Sequence, residues 1–211
     1  MPTKDDMYFG MVGNNGKAYA NRAMNEADLM IMVGARVADR AISQPGLVME
    51  NKVLVHMDVD PAEIGKNCGP TIPLVGDAKH IFREMMDIEF DCQNHDEWLQ
   101  TLKQYRQDMT KVRKVNPDYV DPAEFITKLS EKMEDDAVYV ADVGQNQIWS
   151  CAYHIVKDGR FLTSGGMGTM GYSIPAAMGA KRADMSKQVI AVCGDGSFQM
   201  SMMELATMRQ H

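Results

Sequence analysis

Residues 189–200, VIAVCGDGSFQM, run from a short apolar segment into a Gly-Asp-Gly turn and then into a helical pattern. A continuous apolar run bounded by glycine is typical of a strand that lies inside a parallel sheet. In an open parallel sheet, ligands collect at the carboxyl ends of the strands. The turn is therefore a candidate binding loop, in which Gly194 and Gly196 leave room for a ligand to approach the backbone.

Two polar residues add chemistry to this turn. Asp195 supplies a hard oxygen ligand that suits Mg²⁺, and Ser197 opens a helix whose first N–H groups favour an anion. Together they predict a metal-bridged diphosphate site. A plain turn between a strand and a helix explains the same residues, so this stretch alone leaves both interpretations open.

Strand and helix patterns alternate along most of the chain. Before residue 90, the pattern predicts helices over 15–27 and 78–89 and strands over 29–35, 52–60 and 72–77. After residue 121, it predicts helices over 122–136, 172–183 and 197–210 and strands over 137–142, 160–166 and 188–196. Because the strands are continuously apolar, we expect parallel sheets that are buried on both faces. The fold class that follows is α/β.

The segment between these two regions has a different character. Residues 91–120 are polar and mostly helical in pattern, and they end in a stretch punctuated by Pro117, with Pro122 just beyond. We expect this segment to be a linker. The predicted organisation is therefore a first domain over 1–90, a linker over 91–120 and a second domain over 121–211.

Composition excludes several classes of function. The 211 residues carry a net charge of −7 and contain no basic block, which argues against a nucleic-acid surface. No apolar run is long enough to span a bilayer, and the first ten residues lack the apolar core of a signal peptide. The four cysteines form no Cys-x-x-Cys pair, so we expect reduced thiols and a cytoplasmic location.

Three stretches of the second half resemble one family of enzymes. Residues 194–207, GDGSFQMSMMELAT, are similar to the first half of the thiamine-diphosphate motif, which begins Gly-Asp-Gly and closes with an Asn further on. Residues 164–180, SGGMGTMGYSIPAAMGA, resemble the glycine loop of the acetolactate synthases, also called acetohydroxyacid synthases. Residues 142–149, DVGQNQIW, resemble the Val-Gly-Gln-His-Gln stretch of the same family.

The first half resembles the central domain of that family. Residues 8–40 are similar to a run that reads Gly-Met-x-Gly-Met-His-Gly, then Ala-Asn, then Val-Gly-x-Arg-Phe-Asp-Asp-Arg. Residues 55–67, VHMDVDPAEIGKN, resemble its His-x-Asp-Ile-Asp-Pro-x-Glu-Ile-x-Lys. The resemblance implies two Rossmann-like units, each incomplete relative to the family, in a fragment of a longer large subunit.

The resemblance also implies binding residues for the cofactor. Gly168 matches the position whose carbonyl takes the cofactor's 4′-amino group, and Met170 matches the apolar wedge beneath the bent cofactor. Asn146 stands where the family has His, and either side chain can donate a hydrogen bond to phosphate. The resemblance assigns Mg²⁺ to Asp195. The implied contacts of thiamine diphosphate are Gly144, Gln145, Asn146, Gly168, Met170, Gly194, Gly196 and Ser197.

FAD is a further cofactor that the resemblance implies for the first half. Two departures from the family bear on it: Asn15 replaces a His, and RVADR at 36–40 replaces Arg-Phe-Asp-Asp-Arg, although Arg36, Asp39 and Arg40 are retained. The central sheet also occurs in relatives that bind no flavin. The implied FAD contacts are Asn15, Gly16, Gly34, Ala35, Arg36, Asp58, Val59 and Asp77.

The implied activity is decarboxylation of pyruvate and its condensation with a second 2-ketoacid, pyruvate or 2-ketobutyrate, in branched-chain amino-acid biosynthesis. The family's activating Glu and closing Asn lie outside these residues, so no catalytic residue falls within them and we expect this stretch alone to be inactive. A homodimer or homotetramer with a regulatory small subunit is implied. Alternatives are glyoxylate carboligase, pyruvate oxidase, sulfoacetaldehyde acetyltransferase or a nucleotide-binding module without catalysis.

Overall fold

The structure is a computed structural model that describes residues 2–39, 41–90, 94–110, 116 and 118–210. The chain divides into two compact units. One is Phe9–Val112, and the other joins Met1–Tyr8 to Arg113–His211. Arg40, which the sequence retained from the family's flavin motif, lies outside the described residues. The expected division into 1–90, 91–120 and 121–211 stays a prediction.

The unit Phe9–Val112 is built around a parallel sheet in the order β1-β2-β3. Val33 of β1 pairs with Met57 of β2, and Asp58 of β2 pairs with Val75 of β3, so the three carboxyl ends meet at one edge. Its elements are α1 Ala18–Glu26, β1 Leu29–Val33, α2 Pro45–Val48, β2 Val53–Asp58, β3 Ile72–Val75, α3 Ala78–Met86 and α4 Asp96–Met109.

The core of this unit lies on one face of its sheet. Met32 and Leu54 are buried there with Cys68, and Met24 of α1 and Val48 of α2 pack against them. The expectation that β1 is buried on both faces is wrong. Its alternate side chains lie on the face opposite Met32, where the described residues form no core cluster, although Met57 of β2 is buried there. The exposed side chains are Leu29 (49% exposed), Ile31 (48%) and Val33 (40%).

The helix α4 lies within the segment expected to be a linker. It packs on α1: the Tyr105 hydroxyl donates a hydrogen bond to Glu26 Oε2 at 2.5 Å, and the Arg22 guanidinium lies 3.9 Å from the centre of the Tyr105 ring. The helical character expected of this segment is therefore confirmed for residues 96–109.

The second unit also contains a three-stranded parallel sheet, in the order β5-β4-β6. Here β4 is central and is buried on both faces, as expected: Tyr139, Val140 and Ala141 have no exposed surface. Its elements are α5 Pro122–Lys132, β4 Val138–Ala141, α6 Gln145–Tyr153, β5 Arg160–Thr163, α7 Ser173–Ala183, β6 Val189–Val192, α8 Asp195–Ser201 and α9 Glu204–Gln210.

Two separate clusters cover the faces of β4. Tyr139 packs with Ile126 of α5 and Phe161 of β5 on one side, and Val140 packs with Ala177 of α7 on the other. The alternation of side chains along a strand explains this division, because neighbouring residues point to opposite faces. Tyr139 donates or accepts a 2.8 Å hydrogen bond with Ser150 of α6, so its buried hydroxyl has a partner.

The α/β fold class with two parallel-sheet units is confirmed. The predicted single helix over 197–210 is wrong, because α8 ends at Ser201 and α9 begins at Glu204. The Ser201 hydroxyl donates to the carbonyl of Ser197, a bond that typically bends helices. The helices α2 and α6 were not predicted. None of the helices in the described residues is both long and apolar enough to cross a bilayer.

Candidate functional site

Three loops open at one edge of the second sheet. Ala141 at the end of β4 pairs with Thr163 at the end of β5 and with Val192 at the end of β6. The loops that follow these strands are 142–144, 164–172 and 193–194. Because the strands are parallel, all three loops begin side by side. This placement brings together the stretches that the sequence marked as cofactor loops.

The Asn146 carboxamide joins the first and third of these loops. Its Nδ2 donates to the carbonyl of Asp142 at 3.0 Å and to the carbonyl of Val192 at 2.9 Å. Both hydrogens of the amide are therefore used within the protein. The predicted hydrogen bond from Asn146 to a diphosphate stays a prediction, and in this arrangement the side chain has only Oδ1 left to offer.

The backbone just before Asn146 requires glycine. Gly144 has a φ of +133°, and a Cβ added there would lie 3.2 Å from Asn146 Oδ1. Gly144 also directly precedes Gln145, the first residue of α6. The N–H groups in the first turn of a helix have no acceptor within the helix. The predicted contacts Gly144 and Gln145 therefore sit where the backbone itself offers donors to an anion.

The second loop is tied to the first by a buried carboxylate. Asp142 has no exposed surface, and its Oδ1 accepts from the backbone N–H of Gly171 at 3.0 Å and of Val143 at 2.8 Å. Its Oδ2 accepts from the N–H of Ser173 at 2.7 Å. Burial alone raises the pKa of Asp142, but these donors outweigh it, and the pKa is lowered from its ordinary value.

Met170 links the second loop to the third. A Cβ added to Gly196 would lie 3.3 Å from Met170 Cε, so the thioether covers the Gly-Asp-Gly turn. Met170 is 41% exposed, which leaves an apolar surface beside the turn. Gly168 has a φ of +68° and open space around the position of a Cβ. An apolar side chain at Met170 beside the turn and open space at Gly168 fit the predicted roles of these two residues, which stay predictions.

Ser197 uses its hydroxyl inside the protein. The Oγ donates to the carbonyl of Val143 at 3.1 Å, and the residue is 1% exposed. This bond is a second connection between the first and third loops. The predicted contact of Ser197 with a diphosphate would therefore use its backbone N–H. This group lies in the first turn of α8 together with the N–H groups of Asp195 and Gly196.

The predicted metal ligand, Asp195, is the first residue of α8 and follows the glycine turn directly. Within the described part of the chain, no group of three or more His, Cys, Asp or Glu side chains could hold a metal ion. Mg²⁺ is commonly held by one or two carboxylates together with phosphate oxygens and water. The carboxylate of Asp195, beside backbone N–H groups that could receive an anion, fits that chemistry. The described residues offer no site made of protein ligands alone.

The residues predicted to contact FAD lie partly along the equivalent edge of the first sheet. The N–H of Gly34 donates to the carbonyl of Met57 at 2.8 Å, and the N–H of Gly76 donates to that of Asp58 at 3.0 Å. The ends of β1, β2 and β3 therefore adjoin, with Val59 and Arg36 exposed.

The other predicted flavin residues have local structural functions. Gly16 is required by space, because a Cβ there would lie 2.4 Å from the carbonyl oxygen of Met11. The neighbouring Asn15 is exposed in the turn before α1. Asp77 caps α3, its Oδ1 accepting from the N–H of His80 at 3.1 Å. Binding of FAD by any of these residues stays a prediction.

Sequence reasoning missed the residues that hold the loops in place. His56 is 1% exposed; its Nε2 donates to the Ala35 carbonyl at 3.0 Å while its Nδ1 accepts from Gly65 N–H at 3.2 Å. Asn67 Nδ2 donates to the carbonyl of Arg36 at 2.8 Å. The resemblance assigns no role to Asp142. A polar residue inside or directly after a buried strand is the signal that would have found His56 and Asp142.

Two family models match most of the chain. Residues 1–85 match the central domain of the thiamine pyrophosphate enzymes, and residues 142–211 match their C-terminal TPP binding domain. The second match begins at the buried Asp142 and contains all three loops. The family that the sequence resembles is therefore the family whose models match the chain.

Curated relatives extend this similarity over nearly the whole chain. The acetolactate synthase large subunit of Lactococcus lactis is 38% identical over 207 residues, covering 98% of this chain and 36% of that protein. The large subunit of Cyanidium caldarium is 36% identical, with 97% and 36% covered. A probable large subunit of Methanocaldococcus jannaschii is 35% identical, with 100% and 37% covered.

The chain spans a little over a third of the length of these relatives. Within that span it contains both the central-domain and the cofactor-domain segments, in the family's order. The chain therefore belongs to the thiamine pyrophosphate enzyme family, and within it is similar to the acetolactate synthase large subunits.

Proposed function

We propose that this chain is part of the catalytic large subunit of an acetolactate synthase that uses thiamine diphosphate and Mg²⁺. The reaction is decarboxylation of pyruvate followed by condensation with a second 2-ketoacid. The observation that carries the proposal is the joining of the three loops by Asp142 and Asn146 at one edge of the sheet. The similarity to acetolactate synthase large subunits supports the choice within the family.

The residues of this chain would bind and orient the cofactor. When bound, thiamine diphosphate supplies an electron sink for decarboxylation. Asp195 would hold Mg²⁺, and the first N–H groups of α6 and α8 would receive the diphosphate. Met170 would support the cofactor's apolar surface and exclude water beside Gly168. In this scheme the protein contributes orientation and a dry pocket, which are the contributions expected of a cofactor enzyme.

The test is cofactor binding in the protein at its full natural length, with Asp195→Asn as the variant. The substitution keeps the shape of the side chain and removes the charge that holds Mg²⁺. We expect thiamine diphosphate affinity at limiting Mg²⁺ to fall about tenfold to a hundredfold, as loss of a charged contact typically does. High Mg²⁺ should restore part of the affinity by mass action.

The matched control is Asp184→Asn. Asp184 is another aspartate of the same unit, but it caps an exposed turn by accepting from the N–H and hydroxyl of Ser186. Titration calorimetry should show unchanged cofactor affinity in this control. Equal affinities of wild type and Asp195→Asn at limiting Mg²⁺ would rule out the metal role of Asp195.

The product distinguishes this proposal from its relatives. Wild type with saturating cofactor should form acetolactate from pyruvate, and a product containing 2-ketobutyrate when both ketoacids are supplied. A protein that converts glyoxylate, or pyruvate together with oxygen or phosphate, and forms no acetolactate would instead belong to the carboligases or oxidases of the family.

FAD is the second cofactor that we propose, held along the edge of the first sheet. The exposed Arg36 would meet the diphosphate and Asp58 a ribose, as dinucleotides are bound across parallel strand ends. The full-length protein should then purify yellow, and Arg36→Ala should release the flavin. A colourless and active wild type that gains nothing from added FAD would contradict this part of the proposal.

The remaining parts of the proposal concern assembly and location. We propose a homodimer or homotetramer that also binds a regulatory small subunit. The name of the relatives, large subunit, supports the presence of a smaller partner. The free thiols of Cys68, Cys151 and Cys193 support a reducing compartment, the cytoplasm. Size-exclusion chromatography with light scattering, with and without the co-expressed small subunit, measures the assembly directly.

A further inference from the structure

We propose that Asp142 is a positioning residue that fixes the glycine loop 164–172 in the shape that receives the cofactor. The inference rests on the proposed function for the identity of that cofactor. Asp142 itself lies beneath the loop with no exposed surface, so it acts through the backbone rather than by touching a ligand.

The geometry is that of a carboxylate enclosed by backbone donors. Three N–H groups point at its two oxygens: Val143 at 2.8 Å, Gly171 at 3.0 Å and Ser173 at 2.7 Å. Gly171 ends the glycine loop, and Ser173 begins α7. One side chain at the end of β4 therefore holds the point at which the loop turns into its helix.

The charge of Asp142 is needed for this arrangement. A buried carboxylate is tolerated only when donors satisfy it, and bonds from N–H groups to a charged oxygen are stronger than those to a neutral one. An Asn at this position could accept at one oxygen only, and its amide nitrogen would face the N–H of Ser173. The substitution therefore loses a bond and places two donors against each other.

The rest of the loop has few other restraints. Its start is held at Thr163: the N–H of Gly165 donates to the Thr163 carbonyl at 2.9 Å, and Gln147 Nε2 donates to Thr163 Oγ1 at 2.7 Å. Within the loop, the N–H of Thr169 donates to Ser164 Oγ at 3.1 Å, while Met167 is 91% exposed and Gly168 has open space around the position of a Cβ. The two residues predicted to contact the cofactor, Gly168 and Met170, therefore lie between a start held at Thr163 and an end held by Asp142.

The experiment compares Asp142→Asn with wild type at full natural length, by amide hydrogen exchange without cofactor and by thiamine diphosphate binding at saturating Mg²⁺. We expect faster exchange across 164–173 and affinity reduced about tenfold to a hundredfold. Ser150→Ala is the matched control, because it removes another buried hydrogen bond of the same unit, to Tyr139, and leaves the loop untouched. It should destabilise the unit without changing cofactor affinity by more than about twofold.

The outcomes separate the two proposals. Wild type that does not bind thiamine diphosphate defeats the proposed function, whereas binding by wild type and an equal affinity in Asp142→Asn defeats this inference. If the variant does not fold, exchange in wild type decides. The amides of Gly171 and Ser173 should then be more protected than that of Gly168. Equal protection of the three amides would overturn the inference.

Discussion

The strands β1 and β4 have similar apolar sequences and different surroundings. LMIMV and VYVA both predict a strand buried on both faces, and both lie in a three-stranded parallel sheet. All four residues of β4 are buried, whereas three of the five in β1 are at least 40% exposed. The difference arises because β4 is central and has a core cluster on each face, while β1 is an edge strand with one.

The comparison shows that an apolar sequence permits a strand to be buried on both faces. Whether each face is buried depends on the elements that pack against it. Helices α5 and α6 cover one face of β4, and α7 covers the other. In the first unit, α3 has an amphipathic sequence and no buried residue. The contribution of each strand to stability should therefore differ although the sequences are alike.

The largest expected effect comes from a matched pair of valines. Val140→Ala removes two methyl groups from a site without exposed surface, and should lower the free energy of unfolding of its unit by about 2–3 kcal/mol. Val33→Ala makes the same change on the exposed face of β1 and should cost less than about 1 kcal/mol. Comparable losses from the two substitutions would show that both faces of β1 are covered in solution.

The two tryptophans allow each unit to be followed separately. Trp98 lies in α4 of the first unit and Trp149 in α6 of the second, and the sequence contains no other. Urea unfolding is measured by fluorescence in a Trp149→Phe background for Val33→Ala, and in a Trp98→Phe background for Val140→Ala. A shift in midpoint without a change in slope reports stability alone.

The next effect is a pH dependence of the β4 unit. His154 stacks on Tyr139 with ring centres 4.0 Å apart, and its Nδ1 is 2.7 Å from Ser130 Oγ. The Ser130 hydroxyl donates to the Ile126 carbonyl, so we infer that Nδ1 carries the proton and donates to Ser130. Burial lowers the pKa of His154 to about 4, so the folded unit keeps it neutral.

The sign follows from proton uptake on unfolding. Between about pH 6.5 and pH 4 the unfolded chain, with a His pKa near 6.5, binds a proton at His154 and the folded unit does not. The free energy of unfolding is therefore full above about pH 6.5 and falls toward pH 4. The loss should be roughly 1–3 kcal/mol once solvent screening of this partly exposed ring is included. His154→Asn keeps a donor without titrating, and should flatten the unfolding free energy between these pH values. An unchanged slope in the variant would contradict a buried neutral His154.

The smallest expected effect concerns two helix caps. Asp121 caps α5 by accepting from the N–H of Glu124 at 2.9 Å, and Asp77 caps α3 through His80. Asp121→Ala should lower the free energy of unfolding of its unit by about 1 kcal/mol, because α5 contributes the buried Ile126 and loss of its cap therefore weakens the core. Asp77→Ala should fray α3, seen as faster amide exchange over 78–81, with little change in unfolding. Equal global losses would show that α3 is packed as firmly as α5.

Much of the candidate site was predictable because its residues are consecutive in short loops. Glycines 144, 168, 194 and 196 and the acid at 195 mark loops at strand ends, and the resemblance gave each loop a partner in the cofactor. What each side chain does there was less predictable. The resemblance assigns Asn146 and Ser197 to the diphosphate. Their side-chain donors instead bind the carbonyls of Asp142, Val192 and Val143, which are distant in sequence or lie across a turn.

Local sequence patterns were enough to predict the α/β class, the positions of most strands and helices, and the loops that resemble those of the thiamine pyrophosphate enzymes. The fold was needed to show that β4 is central and β1 lies at an edge, and that the carboxylate of Asp142 binds backbone N–H groups about thirty residues away in the chain. This is because burial and hydrogen-bond partners depend on neighbours in space. The local sequence of an apolar strand, or of a single Asp, does not specify which residues will pack against it.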